Sequence, residues 1–280
     1  MDWSAKRGLG ALLLSLPLSL PLALGGLSAL ADTPSPATPQ ATSAQETPAA
    51  SDSANTDTQP ARPNLLPKPF KAIYKTRLYG IKLTATRELK QQDDGRWFLR
   101  FDIDSWVAGL KERSLFEWNP EGHAITHHYE YHRTGLAPDR HMQVVFNWDT
   151  HKVTNKLNKE DDWSMSIPDG TLDKLNATMQ IRADLINGRR NLKYKVADGG
   201  KLKTFRFAID REETIQTPVG ELDTVVIKTL RKNKERETYT YFAKDWDYVL
   251  VRISQKEPNG DSASVDIQEG WINGEAITGR

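Results

Sequence analysis

The chain contains no cysteine among its 280 residues. This absence excludes disulfide bonds, zinc sites built from thiolates and thiol nucleophiles. It also removes the residue that lipoprotein acylation requires, so we expect a protein that is not a lipoprotein.

An excess of either charge is also lacking. The 38 Lys and Arg residues balance 37 Asp and Glu residues, which leaves a formal net charge of +1. A nucleic-acid surface usually requires a basic excess, so we expect no nucleic-acid partner. Basic clusters at Lys201–Arg206 and Lys228–Arg236 fit either a solvated face or an anionic envelope partner such as a lipid head group.

Motifs of the common enzyme classes are missing too. The chain has no Walker loop, no G-x-G-x-x-G and no G-x-S-x-G around a serine. Paired carboxylates such as Asp102 and Asp104 are common on solvated strands and do not indicate acid–base chemistry without a pocket. We therefore expect a protein that is not an enzyme and has no cofactor.

Residues 1–31 have the three parts of a secretory signal peptide. Lys6 and Arg7 form a positive start, an apolar run extends from Ala11 to Leu24, and Ala29-Leu30-Ala31 is an A-x-A cleavage site. No later segment is apolar for long enough to span a bilayer. We expect a periplasmic protein without a transmembrane segment after cleavage, and the alternative is an uncleaved membrane anchor.

The next segment, residues 32–64, contains no large apolar residue and is rich in Thr, Pro, Ala, Ser, Gln and Asp. Such a composition cannot bury enough surface to offset the entropy of ordering, so it predicts a disordered linker. A single β-rich domain is expected over residues 65–273, followed by a C-terminal tail over residues 274–280.

Strand-like segments fill most of this domain. In one of them Trp97, Leu99, Phe101 and Ile103 share a face. Turn signals recur about every 8–12 residues, which is typical of an antiparallel meander. Strands are predicted at 70–77, 81–89, 97–103, 114–118, 124–132, 141–148, 153–157, 163–167, 192–196, 202–209, 213–216, 222–230, 237–242, 248–255 and 262–269.

One segment, Leu172–Asn187, has helical spacing instead. Its apolar residues form one stripe and a second, narrower edge, so more than one flat surface should cover it. Thr171 is the expected N-cap, and Gly188 stands where a left-handed C-cap is needed. The pattern predicts a mainly β fold: a single curved antiparallel sheet, a half-barrel or open barrel, with this amphipathic helix packed on its concave face.

Six histidines fall between His123 and His151. On a strand, His128, Glu130 and His132 share one face and could offer two imidazoles and a carboxylate to zinc. The same alternation turns Tyr129 and Tyr131 towards the core, which makes the His-Glu-His face ordinary solvated surface. These three residues are weak metal candidates, and a pH-sensing role of the histidines is a further alternative.

Three segments carry a family resemblance. They are Ile167–Leu175, Val196–Leu222 and Tyr241–Ile253, which contain I-P-D-G-T-L-D-K-L, V-A-D-G-G-K-L-K-T-F and Y-F-A-K-D-W-D-Y. In this order they resemble the bacterial exported family known as domain of unknown function 3108, over about residues 69–269. The resemblance implies no established catalytic residue.

A more distant likeness concerns the fold. An aromatic–x–x–D segment followed by V-R-I, late in a curved sheet crossed by a helix, is similar to periplasmic lipoprotein-carrier half-barrels. That resemblance implies an apolar cavity for acyl chains between helix and sheet. The residues expected to line it are Leu175, Met179, Ile186, Trp97, Phe101 and Trp106.

Three functions follow from these observations. The first is a non-enzymatic binding or chaperone-like module for an apolar or amphipathic envelope ligand such as a lipid. The second is a structural or protein-interaction module with an envelope protein as partner. The third, a metal-dependent hydrolase, rests on His128, Glu130 and His132 alone.

Overall fold

The computed structural model describes residues 65–78, 81–135, 138–155, 162–231 and 236–280. The predicted signal peptide at 1–31 and linker at 32–64 lie outside the described residues. Within the described part, strands dominate and one helix interrupts them.

The elements follow in chain order as β1 (Phe70–Leu78), β2 (Ile81–Gln91), β3 (Trp97–Asp104), β4 (Ala108–Trp118), β5 (Ala124–Gly135), β6 (Arg140–Asn147), β7 (Lys152–Asn155), β8 (Trp163–Ser166), α1 (Lys174–Ile186), β9 (Lys193–Asp198), β10 (Lys201–Thr217), β11 (Gly220–Leu230), β12 (Glu237–Ala243), β13 (Val249–Lys256), β14 (Ser262–Ile272) and β15 (Glu275–Ala276).

The sheet consists of two antiparallel meanders. Strands β1 to β8 pair in sequence order, and so do strands β9 to β14. The first and last of these strands, β1 and β14, pair with each other and join the two meanders into one sheet, with Phe70 opposite Ile272. In the chain, the helix follows β8 and precedes β9, so it lies between the two meanders.

Alternation explains why the strands form and which face turns inward. In β3, Leu99, Phe101 and Ile103 are buried on the inner face, whereas Arg100 and Asp102 point outward and pair with charges on neighbouring strands. Side chains on a strand point to opposite faces in turn, so apolar residues at every second position build one continuous core.

The largest differences from the prediction lie in β4 and β10. Strand β4 begins at Ala108 and not at Ser114, because a hydrogen bond from the Ala108 N–H to the Ser105 hydroxyl closes the turn there. The predicted strands at 202–209 and 213–216 are one strand, β10, with a β-bulge near Asp210. A bulge admits one extra residue without ending the ladder, so the polar run there did not require a break.

The two edges of the sheet, β8 and β9, do not pair with each other, so the sheet is open and not closed into a barrel. Two contacts nevertheless bridge the edges. The indole of Trp163 packs against Gly200, where a Cβ atom would lie 3.2 Å from the ring. The Leu172 N–H donates to the Lys195 carbonyl at 2.9 Å, and its own carbonyl accepts from the Ala197 N–H at 2.9 Å.

The helix begins two residues later than expected. Asp173, and not Thr171, is its N-cap, and the Asp173 carboxylate accepts from the N–H groups of Leu175 and Asn176. The Thr171 hydroxyl instead donates to the Pro168 carbonyl at 2.7 Å. Gly188 has a positive φ of 70° after the last turn, which confirms the expected left-handed C-terminus.

The fold prediction of a single curved antiparallel sheet around one main helix is therefore confirmed. Among the described residues, no helix has the length and apolar character needed to cross a membrane. Residues 274–280 are tied to the sheet: β15 pairs with β14, and Ile277 is buried.

Candidate functional site

The helix α1 is buried on every side, from Lys174 to Leu185. Polar and apolar residues alternate one by one along it, and successive polar side chains therefore point about 200° apart around the axis. Each of the six polar side chains has a partner in a surrounding strand or turn. The pairs are Lys174 with Asp198, Asn176 with Thr126, Thr178 with Arg87, Gln180 with Ala124, Arg182 with Asp247, and Asp184 with Tyr194.

The N-terminal end of α1 is held by a buried carboxylate. One oxygen of Asp173 caps the helix, and the other accepts from the hydroxyls of Ser114 at 2.7 Å and Thr126 at 3.0 Å. Burial raises the pKa of Asp173, although these four hydrogen bonds act against the shift. The carboxylate thus joins α1 to β4 and β5.

Lys174, the first residue of α1, is also buried. Its ammonium lies 3.5 Å from Asp198 and 4.9 Å from the ring centroid of Tyr131. The other oxygen of Asp198 accepts from Lys203 at 2.6 Å. Burial works to raise the pKa of Asp198, but Lys174 and Lys203 together hold it below its usual value. This cluster ties the helix to the β9–β10 hairpin.

Two further charges face the helix from the inner side of the sheet. Arg87 and Glu112 stand on either side of Phe101 in one row across β2, β3 and β4. Burial lowers the pKa of Arg87 and raises the pKa of Glu112, while Lys174 opposes the shift of Glu112. Arg87 donates to the hydroxyl of Thr178 in α1.

The C-terminal half of α1 is held by Arg182, whose side chain is 2% exposed. Its guanidinium pairs with the Asp247 carboxylate, donates to the Asp247 carbonyl at 2.6 Å and lies over Phe70. Burial lowers the pKa of Arg182 to about 10, although Asp247 opposes the shift. Asp247 and Tyr248 both have a φ of 52°, a left-handed conformation that is unusual for such residues.

The last turn of α1 contains a second network. Asp184 accepts from the Tyr194 hydroxyl at 2.8 Å, from Arg189 at 3.1 Å and from Gln180 at 3.0 Å. Gln180 also accepts from the Ala124 N–H at 2.9 Å. These bonds fix the end of the helix against β5 and β9.

Chemically, this arrangement positions the helix. The charges of Lys174, Arg182 and Asp184 are each met by an opposite charge inside the protein. Buried charges are tolerated only when they are paired and hydrogen-bonded, and removal of one partner is strongly destabilising. The site therefore fixes one orientation of α1 within the sheet.

The residues predicted to line a ligand space lie in different places. Leu175, Met179 and Phe101 are 3%, 1% and 5% exposed and belong to the continuous core. Trp97 is half-buried and packs against that core, and Ile186 is half-buried at the end of α1. Trp106 is 84% exposed in the β3–β4 turn, so it is not part of the interior. The lining role of these residues stays a prediction.

His128, Glu130 and His132 lie on the outer face of β5, as the alternation predicted. Tyr129 and Tyr131 are buried, while His128, Glu130 and His132 are half-buried outside. The Oε1 atom of Glu130 lies 2.8 Å from Nε2 of His141 on the neighbouring strand. Among the described residues, no three His, Asp or Glu side chains form a group that could hold a metal ion.

The buried partners of α1 were missed by sequence reasoning. Asp198, Asp247 and Arg87 stand in ordinary polar contexts, and only the fold brings them to the helix. One signal was available: polar residues at every second position of a helix cannot all face solvent when both sides are apolar. That alternation indicates polar partners around the whole circumference.

Comparisons with known proteins agree with the family resemblance. A family model described as "Protein of unknown function (DUF3108)" matches residues 72–268. No curated protein sequence matches the chain.

Two solved structures are similar to the chain. A beta-barrel-like protein of domain of unknown function DUF1849 from Brucella abortus is 10% identical, with 74% of this chain and 98% of that chain covered and a TM-score of 0.49. A candidate lipoprotein from Parabacteroides distasonis ATCC 8503 is 13% identical, with 75% and 97% covered and a TM-score of 0.25. Both TM-scores are below 0.5, so these two likenesses define neither the fold nor a function.

Proposed function

Since the chain belongs to the DUF3108 family of proteins of unknown function, we propose its function from its geometry: a non-enzymatic binding module of the cell envelope that takes an amphipathic ligand on its outer surface. The observation that carries this proposal is a depression on the outer face of the sheet, and the burial of Lys174 to Leu185 in α1 supports a site outside the interior. Side chains of the helix and of the inner sheet face belong to one core, which supports a ligand site elsewhere on the domain.

The outer face offers a different place. A depression of about 320 Å³ on β2 and β3 is lined by Glu88, Lys90, Gln92, Phe98 and Arg100. The half-buried ring of Phe98 lies beside the cationic groups of Lys90 and Arg100, which both pair with Glu88. An aromatic surface beside cations suits a ligand with an apolar part and an anionic head group.

The non-enzymatic part of the proposal rests on how the titratable groups are used. Glu112, Asp173 and Arg182 have shifted pKa values, which often mark catalytic residues. Here the three side chains face the helix–sheet interface and are buried. Structural ion-pair networks shift pKa values in the same way, and the contacts of Asp173 and Arg182 account for their positions.

The location in the periplasm is part of the same proposal. It is supported by the signal-peptide pattern of residues 1–31 and by the absence of the cysteine that lipoproteins need. A low-complexity segment such as 32–64 would let the domain reach a ligand at some distance from an attachment point.

Native mass spectrometry of the protein purified from its own periplasm tests the proposal. We expect adducts whose masses match amphiphiles, and we expect Phe98→Ala to reduce them while leaving the far-ultraviolet circular dichroism unchanged. Val145→Ala, which also removes an exposed apolar side chain from the outer face, is the matched control. A protein without adducts that also fails to bind added short-chain phospholipid would refute the proposal.

A second candidate function is docking of a protein strand. The outer edge of β8, which no other strand pairs within the described residues, favours it. Unpaired strand edges can accept an added strand from a partner. A stoichiometric envelope protein whose binding is lost when Ser164 is replaced by proline would support this function over ligand binding.

A further inference from the structure

The turn between β3 and β4 carries the most exposed large apolar side chain of the described residues. Trp106 is 84% exposed, compared with 62% for Leu65 and 48% for Leu230. A single exposed apolar residue is common on protein surfaces and needs no function. What distinguishes Trp106 is the way its turn is built.

The turn is fixed by its own hydrogen bonds. The Ser105 hydroxyl accepts from the Ala108 N–H at 3.0 Å and donates to the Ala108 carbonyl at 2.8 Å. The Ser105 N–H donates to the same carbonyl at 3.1 Å. These bonds close the loop around Trp106 and place its backbone at the tip of the turn.

The neighbouring hairpin supports the turn from behind. Gly135 has a φ of 101°, and a Cβ atom there would lie 2.2 Å from the Val107 carbonyl oxygen. Backbone can approach this closely only at glycine. The close contact fixes the β3–β4 turn against the end of β5, so the indole is presented on a rigid support.

Four basic residues lie at the same end of the sheet as the β3–β4 turn. Lys82 follows the start of β2, Lys111 lies on the outer face of β4, and Arg133 and Arg140 pair across β5 and β6. The carboxylates there are Asp104 and Asp139, and Asp139 also accepts from the Gly135 N–H. Asp102, opposite Lys111, is already paired with Arg113, so the four cations outnumber the two other carboxylates at this end of the sheet, Asp104 and Asp139.

We propose that the β3–β4 turn anchors the protein to a lipid bilayer that contains anionic phospholipids, with Trp106 in the head-group region. This inference deepens the proposed function and rests on it. Indole rings prefer the membrane interface because they combine a large apolar surface with one N–H donor. Lysine and arginine beside them gain from the negative surface potential while their apolar stems stay near the acyl chains.

Co-sedimentation with vesicles tests the anchor. The full protein is mixed with vesicles of phosphatidylcholine and phosphatidylglycerol, and the bound fraction is measured against lipid concentration. We expect Trp106→Ala to weaken binding about tenfold, because the apolar surface of the indole no longer leaves water. Trp106→Tyr should retain most of the binding, and added salt should weaken it in the wild type.

The matched control is Leu66→Ala. Leu66 is 40% exposed and precedes β1 at the opposite end of the sheet, so its truncation removes apolar surface away from the turn. We expect it to bind vesicles as the wild type does. A wild type that does not sediment with vesicles, or a Trp106→Ala variant that sediments equally well, would overturn the anchor.

A parallel measurement separates this inference from the proposed function. Soluble short-chain phosphatidylglycerol is added to the same proteins and detected by native mass spectrometry. Binding of this single lipid without vesicle binding leaves the proposed function standing and removes the anchor. Loss of both kinds of binding removes both.

Discussion

The guanidinium of Arg182 in α1 and the carboxylate of Asp247 in the β12–β13 turn form an ion pair inside the protein. Asp247 also accepts from the Lys68 N–H at 2.9 Å, and its carbonyl accepts from Arg182. One residue in a left-handed conformation thus joins the helix, the β12–β13 turn and the segment that leads into β1. The strained turn places the carboxylate and the carbonyl of Asp247 on the side of the helix, where both contact Arg182.

Asp247→Asn should destabilise the domain by about 3 kcal/mol or more, because it leaves the buried charge of Arg182 without its counter-charge. Asparagine adopts a positive φ readily, so the substitution tests the charge and spares the backbone. The measurement is urea unfolding followed by tryptophan fluorescence. Lys244→Ala, which breaks an exposed pair with Glu212, is the control and should leave the midpoint unchanged.

The stability contributed by Glu112 should fall as the pH rises. Burial raises its pKa in the folded protein above the ordinary value of 4.5, so the folded state binds more protons than the unfolded chain above that pH. Its favourable contribution is therefore complete in acid and is lost as the pH rises through the folded pKa. Glu112→Gln should gain stability relative to the wild type between about pH 4.5 and neutrality, in urea unfolding at several pH values.

Asp198 provides the control of opposite sign. Lys174 and Lys203 outweigh the effect of burial and hold its pKa below the ordinary value of 3.8. Its contribution is therefore present above that pH and is lost as the pH falls through the folded pKa. The wild type should be more stable than Asp198→Asn at neutral pH, and the difference should shrink in acid. Parallel pH profiles of the two variants would contradict both assignments.

Asp173→Ala should cost about 2 kcal/mol or more. A lost N-cap alone costs about 1 kcal/mol, and the hydroxyls of Ser114 and Thr126 would also lose their buried acceptor. Thr171→Ser, which keeps the hydroxyl at the position that the sequence favoured as N-cap, should cost only about 1 kcal/mol, for the buried methyl group that it removes. Thermal unfolding measured by circular dichroism distinguishes the two, and equal effects would argue against Asp173 as the cap.

Gly135→Ala should be more damaging than Gly95→Ala. Both glycines have a positive φ, so alanine at either site costs on the order of 1 kcal/mol in backbone strain. Only at Gly135 would the new Cβ atom also clash with backbone, 2.2 Å from the Val107 carbonyl oxygen, whereas Gly95 has no atom within 4 Å. Chemical denaturation measures the free energy of unfolding of the two variants. Equal losses of stability would show that the contact between Gly135 and Val107 leaves room for a Cβ atom.

Most of the sheet could be predicted because its physical signal is local. Leu99, Phe101 and Ile103 alternate with polar residues, and that spacing alone defines an inner face. The predicted burial of Tyr129 and Tyr131 beneath an outer His-Glu-His row is confirmed for the same reason.

The interior around α1 could not be predicted because its signals are not local. Lys174 and Asp198, or Arg182 and Asp247, meet only after the second meander wraps the helix. The segments that carry the family resemblance contain Lys174, Asp198 and Asp247. The spacing of these residues in the chain does not indicate which of them pair. The predicted N-cap was wrong by two positions. Asp173 is favoured by the hydroxyls of Ser114 and Thr126, which belong to strands distant in sequence.

The pairing of β1 with β14 has a consequence for how the protein is made. The paired residues Phe70 and Ile272 are about 200 residues apart, so the seam of the sheet cannot close until almost the whole chain has been synthesised. Contacts this distant in sequence form slowly, and until then β1 exposes an unpaired edge to other chains. A nascent chain kept unfolded until its last strand is available avoids that hazard, and translocation across a membrane before folding would provide such a delay.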